Sequence, residues 1–324
     1  MARAQIIGTG LYAPPRVVTN AYFNEYYGED VDSFLRTQRN IRERRYAEDG
    51  QTTSDLVVEA ARAALAEAGM TPQDLALIIV ATDTPDYLSP ATATVVQHKL
   101  GARRAGTFDV NAACAGFVTA LEVGRRFVEG GSGPVLVAGG YLMSRFLDFS
   151  QRNIATLFAD GAGAVVLAPA DDEEPGILLT RLEAEGQYYD YMGIYTGGAC
   201  CPHEPQVLAF RKKFPKTYNV EHWTRLVRWL SKELGVQPEA VDHLFFTQIN
   251  VLSIRETLAA LGLPESRTHY VMDRYGYTGS ACIPMVLADA VRAHRLRRGD
   301  LVYLIASGGG AALAAMALRW AYDT

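Results

Sequence analysis

Residues 109–117 read Asp109-Val110-Asn111-Ala112-Ala113-Cys114-Ala115-Gly116-Phe117. This stretch ends an apolar segment and passes through small residues into a run with helical spacing that continues to Gly130. Cys114 is therefore expected at a helix N-terminus, where unpaired N–H groups and the helix dipole favour a thiolate. Small neighbours would let a substrate carbonyl approach the sulfur and the backbone amides. From this stretch alone, a catalytic nucleophile and a buried structural cysteine fit equally well.

The composition narrows the classes of protein to consider. The chain has 324 residues, of which 49% are hydrophobic and 21% charged, with a net charge of −5. This length predicts roughly two domains with a large core. The mildly acidic balance argues against a nucleic-acid-binding protein. Four cysteines do not make a disulfide framework and no secretion signal is visible, so we expect a cytoplasmic location.

One segment raises the question of a membrane span. Leu301 to Leu318 carries no charge over eighteen residues. Its middle reads Ser307-Gly308-Gly309-Gly310, and the residues before it are rich in β-formers. A buried strand, a glycine turn and a second buried strand fit this pattern better, so no membrane partner is expected.

The second half of the chain repeats the first. Gly69–Thr82 matches Gly235–Gln248 at an offset of 166, and the same offset carries Cys114 onto Ser280. We therefore predict a duplicated α/β unit, with an acidic, proline-ended turn at 171–175 as the boundary between halves 1–170 and 171–324. Because the strands are apolar throughout, mostly parallel sheets in a layered α/β/α/β/α body are expected.

Four motifs together resemble the β-ketoacyl-acyl carrier protein synthase III family, and the resemblance runs along nearly the whole chain. They are the 109–117 stretch, Phe158–Ala164, Asn40–Arg44 and Gly308–Gly310. The resemblance implies the thiolase fold, a duplicated five-layer α/β/α/β/α architecture. It also implies a homodimer, and substrates carried as thioesters on coenzyme A or acyl carrier protein, with no metal and no further cofactor.

The resemblance also implies catalytic roles. Cys114 would be acylated, and its amide with that of Gly310 would form the oxyanion hole. The family's catalytic histidine and asparagine fall here at Thr247 and Tyr277. A histidine can exchange protons near neutral pH and a threonine cannot, whereas a tyrosine can donate a hydrogen bond to an enolate oxygen.

Substrate-binding positions carry over in the same way. The family's adenine-stacking tryptophan and its arginine neighbour fall at Phe34 and Gln38, and Arg152 matches the second stacking arginine. Two further positions are expected near the substrate: Asn250, and Ser89, whose loop could reach a partner subunit's pocket. Residues 211–213 (Arg-Lys-Lys) are a candidate patch for an acidic carrier protein or simply a solvated surface run.

Three functions remain open from the sequence. The leading one is acyl loading on Cys114 followed by transfer to the carbanion of a malonyl-carrier protein, as in fatty acid or polyketide synthesis. The second is acyl transfer without decarboxylation, to a hydroxyl, an amine or a second carrier protein. The third is a catalytically silent partner subunit. Candidates for the missing base are His203, His222, Asp83 and Asp86. A metal site at Cys200, Cys201 and His203 is disfavoured because no second ligand cluster accompanies it.

Overall fold

The structure is a computed structural model that describes residues 3–170 and 175–324. Residues 171–174, which form most of the predicted boundary turn, lie outside the described residues. The strands are β1 Ala4–Tyr12, β2 Arg16–Thr19, β3 Glu43–Tyr46, β4 Leu77–Ala81, β5 Gly106–Val110, β6 Val135–Leu142, β7 Asp160–Pro169, β8 Gly176–Ala184, β9 Met192–Ile194, β10 Leu208–Phe210, β11 His243–Phe246, β12 Leu301–Gly308 and β13 Ala312–Arg319. The helices are α1 Asn20–Tyr27, α2 Asp32–Phe34, α3 Thr53–Glu67, α4 Thr92–Leu100, α5 Gly116–Glu129, α6 Arg152–Ala155, α7 Tyr218–Glu233, α8 Val251–Ala260, α9 Met272–Tyr275 and α10 Cys282–Arg292.

Two large sheets organise the described chain. The first has the strand order β1-β7-β6-β4-β5 and the second the order β11-β12-β13-β8. Both are mixed rather than mostly parallel: β4 is parallel to β5 and β6, and β11 to β12, while the other neighbours in these sheets are antiparallel. The turn between β12 and β13 is too short for a crossover, so this pair must be an antiparallel hairpin.

Helices cover and separate the sheets in five layers. Helices α5 and α10 lie between the sheets, where α5 contacts β4 and β6 of the first sheet and β12 and β13 of the second. Helices α3 and α4 pack on the outer face of the first sheet, and α7 on that of the second. The buried apolar residues accordingly form one central cluster and one cluster under each outer layer. The layered α/β/α/β/α architecture is confirmed.

The structure also bears out the internal repeat. The offset of 166 carries β4 onto β11, β6 onto β12, α3 onto α7 and α5 onto α10, with ends that agree within three residues. The division into two halves at residue 170 stays a prediction. The uncharged segment from Leu301 is the predicted strand–turn–strand unit. Within residues 3–170 and 175–324, no helix combines the length and the apolar character that crossing a membrane requires.

Candidate active site around Cys114

Cys114 lies in a tight turn at the carboxyl edge of the first sheet. The Thr82 amide, just after β4, donates a hydrogen bond of 3.2 Å to the Val110 carbonyl at the end of β5. The Asp109 carboxylate accepts the first N–H groups of α4, from Thr92 at 2.6 Å and Ala93 at 2.8 Å. These bonds hold the strand end from which the turn to Cys114 departs.

The turn itself is strained. Ala113 has a φ of +46°, a left-handed conformation that costs free energy for a residue with a Cβ. Cys114 follows it and is only 4% exposed, and α5 begins two residues later at Gly116. The structure therefore presents the cysteine on a sharp strand-to-helix turn, as the sequence predicted, but with the sulfur buried.

Gly308, the last residue of β12, lies directly against the Cys114 backbone. A Cβ on Gly308 would stand 2.7 Å from the Ala112 carbonyl oxygen and 2.9 Å from the Cys114 nitrogen, closer than real Cβ contacts. Gly310, to which the resemblance assigns the oxyanion hole, has a φ of +71° and open space around its Cβ direction. Gly308 is thus the glycine that packs on the Cys114 amide, and the oxyanion role of Gly310 stays a prediction.

Replacing Gly308 with alanine is expected to slow acylation of Cys114 by about 100-fold, the usual cost of shifting a reacting group by about 1 Å. The new methyl would meet backbone atoms that cannot rotate away, so the cysteine turn must move. The rate of adduct formation, followed by mass spectrometry, checks this. Gly186→Ala is the control, because a Cβ there meets nothing within 4 Å. Equal rates for the two variants would contradict the close approach.

Tyr277 is the side chain that contacts the cysteine sulfur. Its hydroxyl donates a hydrogen bond to the Cys114 sulfur. Tyr277 is only 2% exposed, and its ring contacts the Phe158 ring edge-on, with 5.5 Å between the ring centroids. The Ala159 amide donates to the Tyr277 carbonyl at 2.9 Å, and the Tyr277 amide to the Leu157 carbonyl at 2.9 Å. The segment 157–159, where the family-like Phe158–Ala164 motif begins, therefore fixes the position of this hydroxyl.

Burial controls the charge of the cysteine. It raises the pKa of the Cys114 thiol, the charge of Asp83 raises it further, and the hydrogen bond from Tyr277 opposes both. Burial thus acts against the thiolate that the helix N-terminus was expected to favour. At neutral pH the resting group is a thiol.

Thr247 is held away from the cavity. It is buried, its hydroxyl oxygen accepts the Ser307 N–H at 3.3 Å, and its own amide donates to the Ile305 carbonyl at 3.1 Å. These bonds tie the end of β11 to the end of β12. Thr247 does not line the cavity that contains Cys114 and Tyr277.

An open cavity of about 1060 Å³ leads to Cys114. Of the predicted site residues, Cys114, Tyr277, Asn250, Phe34 and Arg152 line it. Gln38, Ser89, Thr247 and Gly310 are not among its lining residues. Its basic lining side chains are Arg39, Arg152, Arg211, Lys212, Lys213 and Lys216, and within the described chain no carboxylate lines it. The cavity therefore favours an anionic ligand.

Arg39 is an entrance residue that the sequence analysis missed. Its guanidinium lies over the Phe34 ring at 5.1 Å and donates to the Asn250 side-chain oxygen at 2.9 Å. Gln38, the position that the resemblance indicated, is exposed. The only signal was that an arginine directly follows Gln38 in the sequence. Arg152 forms an ion pair with Glu29 at the same cavity.

The candidate replacement bases lie in different surroundings. His203 is exposed and His222 pairs with Glu185 at 3.5 Å, and neither lines the cavity. Asp86 accepts the Ser54 N–H at 3.0 Å. Asp83 has a buried carboxylate oxygen, Oδ1, without a hydrogen-bond partner in the described chain.

Ser89 lies on an exposed loop with two large apolar neighbours. Tyr87 is 58% exposed and Leu88 79% exposed. Ser89 is exposed as well, and it does not line the Cys114 cavity.

The comparisons with known proteins agree with this geometry. Residues 108–186 match the family model 3-Oxoacyl-[acyl-carrier-protein (ACP)] synthase III, and residues 231–320 match the model of its C-terminal part. The chain is 39% identical over 325 residues to a beta-ketoacyl-[acyl-carrier-protein] synthase III of Roseiflexus castenholzii, covering 98% of each chain. It is 38% identical over 326 residues to an acetoacetyl CoA synthase of Streptomyces sp., covering 98% of this chain and 99% of the relative.

The fold comparison reaches the same family. A crystal structure of 3-oxoacyl-[acyl-carrier-protein] synthase III from Aquifex aeolicus superposes with a TM-score of 0.90 at 34% identity, covering 98% of this chain and 100% of the other. Similarity therefore extends over both repeats, including the cysteine turn within the first of them. The chain belongs to the β-ketoacyl-acyl carrier protein synthase III family of acyltransferases, and it has that family's thiolase fold.

Proposed function

We propose that this protein takes an acyl group from a thioester onto Cys114 and passes it to the carbanion of a malonyl-carrier protein, in fatty acid or polyketide-type synthesis. The observation that carries the proposal is the buried Cys114 thiol at an open cavity, with the Tyr277 hydroxyl on its sulfur and Gly308 against its amide. A thioester entering the cavity would meet the nucleophile and a hydrogen-bond donor together.

We further propose that the site is an atypical form of the family's site. Thr247 and Tyr277 stand where the resemblance expects a histidine and an asparagine. Tyr277 would then be the donor to the enolate that decarboxylation produces, because its hydroxyl already faces the reacting sulfur. Thr247 would only stabilise the end of β12, because its hydroxyl oxygen already accepts a hydrogen bond from the Ser307 amide.

A second candidate is acyl transfer without decarboxylation, to a hydroxyl, an amine or another carrier protein. The observation that favours it is the absence of any histidine among the described residues that line the cavity. A silent partner subunit is disfavoured, because such a subunit has no need of an open cavity that ends at a cysteine.

The basic entrance supports thioesters with phosphate groups as substrates. Coenzyme A and the carrier-protein arm both carry phosphate, which arginine and lysine bind well. Residues 211–213 line the same cavity and would face an acidic carrier protein. We also propose a cytoplasmic homodimer, in which the exposed Tyr87–Ser89 loop packs against the partner subunit. No cofactor beyond the thioester substrates enters this reaction.

Arg39→Ala is expected to raise the KM for the acyl thioester about 10-fold or more and to leave kcat nearly unchanged. A hydrogen bond to a charged group contributes about 1.5–3 kcal/mol, and binding lost equally from the ground and transition states appears in KM. Steady-state kinetics over a range of thioester concentrations check this. Arg36→Ala is the matched control, because Arg36 pairs with Asp32 and does not line the cavity. A fall in kcat alone would contradict the binding role.

A two-stage experiment tests the proposed function. The protein is first incubated with acyl-coenzyme A or acyl-carrier protein and its intact mass is recorded; malonyl-carrier protein is then added, and carbon dioxide and product are followed. Loading followed by carbon dioxide release supports condensation. An adduct that malonyl-carrier protein leaves in place and small hydroxyl or amine nucleophiles discharge supports the second candidate. No adduct from any donor contradicts both.

A further inference from the structure

Two thiols lie side by side in the segment between β9 and β10. Cys200 and Cys201 are adjacent in the chain, and the Cys201 thiol donates a hydrogen bond to the Cys200 sulfur, with 3.3 Å between the two sulfur atoms. Cys200 is exposed and Cys201 half-buried, whereas Cys114 and Cys282 are buried. Neither Cys200 nor Cys201 lines the Cys114 cavity. The acyl chemistry proposed above therefore leaves this pair of reactive groups without a role.

The contact between the two sulfurs favours oxidation over metal binding. A disulfide bond is about 2.05 Å long, so the sulfurs need to approach each other by only about 1 Å. A structural zinc site needs four ligands, and within the described chain no third cysteine, histidine or carboxylate joins the pair in a metal-binding group. The two thiols are instead in position to lose their hydrogens to an oxidant.

A bond between adjacent cysteines is strained and therefore reversible. The Cα atoms of neighbouring residues are about 3.8 Å apart, whereas bridged cysteines usually have Cα atoms about 4.4–6.8 Å apart. Such strain makes a disulfide easier to reduce, and strained or exposed disulfides are the labile ones that serve regulation. Closing the bond must also change the side-chain and backbone torsions at both cysteines.

The pair lies between two residues that hold a side chain of the cavity. The Arg211 guanidinium stands 3.9 Å from the centre of the Tyr195 ring and forms an ion pair with Glu204 at 3.9 Å. Tyr195 comes five residues before Cys200, and Glu204 three residues after Cys201. Arg211 itself lines the Cys114 cavity. A change of torsions at the cysteines therefore shifts Tyr195 and Glu204 relative to each other, and Arg211 with them.

We propose that Cys200 and Cys201 form a reversible disulfide, and that its formation weakens binding of the acyl thioester by displacing Arg211. The second half of this inference rests on the proposed function. The oxidant is a small-molecule disulfide such as glutathione disulfide.

The reaction proceeds by thiol–disulfide exchange. The Cys200 sulfur, as the more exposed one, loses its proton and attacks the oxidant, which forms a mixed disulfide and releases one thiol. The Cys201 sulfur then attacks the mixed disulfide at Cys200, and the second thiol leaves. Two electrons pass from the protein to the oxidant, and the two protons of the pair end on the two released thiols.

Thiol mapping of the full-length protein tests bond formation. Reduced protein is equilibrated with rising proportions of glutathione disulfide, its free thiols are blocked with N-ethylmaleimide in denaturant, and the peptides are identified by mass. The peptide with Cys200 and Cys201 should lose two hydrogen masses, take up neither N-ethylmaleimide nor glutathione, and return to the dithiol with dithiothreitol. Cys201→Ser should stop at the mixed disulfide and keep one glutathione on Cys200. Cys282, which is buried, is the internal control and should be blocked as a free thiol.

Loading kinetics test the coupling to the cavity. Oxidised wild-type protein should have a KM for acyl-coenzyme A about 10-fold higher than the reduced protein, the effect of losing a hydrogen bond to a charged group. The double variant Cys200→Ser/Cys201→Ser is the matched control, and its KM should equal that of the reduced wild type before and after the same treatment. Arg211→Ala should have the raised KM already and should not respond to oxidation.

The outcomes separate this inference from the proposed function. Two blocked thiols at Cys200 and Cys201 at every proportion of glutathione disulfide, or glutathione that stays on the wild-type peptide, would overturn the disulfide. A disulfide that leaves the KM unchanged, or an equal rise of the KM in the double variant, would overturn the coupling to Arg211. A wild-type protein that loads no acyl group would refute the proposed function and the coupling, while the thiol map would still decide whether the disulfide forms.

Discussion

Cys114→Ala is expected to abolish acyl transfer, with a loss on the order of 10⁶-fold as for other catalytic nucleophiles. The variant lacks the only thiol among the described residues that line the basic cavity. Its stability should change little, because alanine fills most of the space of a small buried side chain next to Ala113 and Ala115. Turnover with an acyl thioester and a malonyl-carrier protein, measured as carbon dioxide release, checks the loss.

Cys282→Ala is the matched control for this variant. Cys282 is also a buried thiol, 1% exposed, and its sulfur contacts the Phe246 carbonyl at 3.9 Å rather than the cavity. Burial raises its pKa to about 12. We expect wild-type rates from Cys282→Ala. Retained turnover in Cys114→Ala, or an equal loss in both variants, would refute the assignment of the nucleophile.

Tyr277→Phe is expected to have the second largest effect. The ring should stay in place against Phe158, while the hydrogen bond to the sulfur is lost. A bond to a charged group contributes about 1.5–3 kcal/mol, so loading should slow about 10- to 100-fold. Carbon dioxide release should fall further, by about 10²- to 10³-fold, if the same hydroxyl stabilises the enolate. Without its donor, the Cys114 thiol should also have a higher pKa, so alkylation should require a higher pH.

Tyr46→Phe controls for the loss of a buried hydroxyl. The Tyr46 hydroxyl donates to the Ala155 carbonyl at 3.3 Å, and Tyr46 does not line the Cys114 cavity. This variant should lose a comparable hydrogen bond without changing either rate. If Tyr277→Phe loads and releases carbon dioxide as fast as Tyr46→Phe, Tyr277 takes no part in the chemistry.

The sequence predicted much of the fold because its signals were local or repeated. The uncharged run from Leu301 with glycines in its middle favoured two buried strands joined by a turn over a membrane span, and the structure has these strands. The shared offset of 166 indicated a duplicated unit, which cannot be recognised from any one helix or strand alone. The direction of neighbouring strands, in contrast, could not be predicted from the sequence. Apolar strands look alike whether they are parallel or antiparallel, so the mixed character of the two sheets was not predictable from composition.

The position of the candidate nucleophile was predictable from the sequence, whereas the residues around it and at the cavity entrance were less so. The strand-to-helix junction and the family resemblance together pointed to Cys114. The charge of its sulfur depends on burial by distant elements, which a local motif does not encode. The contact of Gly308 with the Cys114 amide joins residues 194 positions apart. Arg39 replaces the expected Gln38 by facing the cavity from the next position, a matter of local helix geometry rather than of sequence pattern.

The candidate bases also show that contacts between distant residues cannot be predicted from a local sequence motif. The sequence context of Asp83, a loop after a buried strand, made it one of four candidate bases with nothing to separate them. The separation came from contacts: His203 is exposed, His222 is paired with Glu185, and Asp86 accepts the Ser54 amide. Asp83 differs from these three because its Oδ1 is shielded from solvent and has no hydrogen-bond partner in the described chain.

The most direct test of the account is to locate the acyl group on the protein. The wild-type protein is incubated with an acyl thioester, digested at low pH to preserve thioesters, and the modified peptide is identified by tandem mass spectrometry. The account predicts a single acyl group on Cys114. An acyl group found instead on Cys200 or Cys201, or on no residue with either a coenzyme A or a carrier-protein donor, would contradict it.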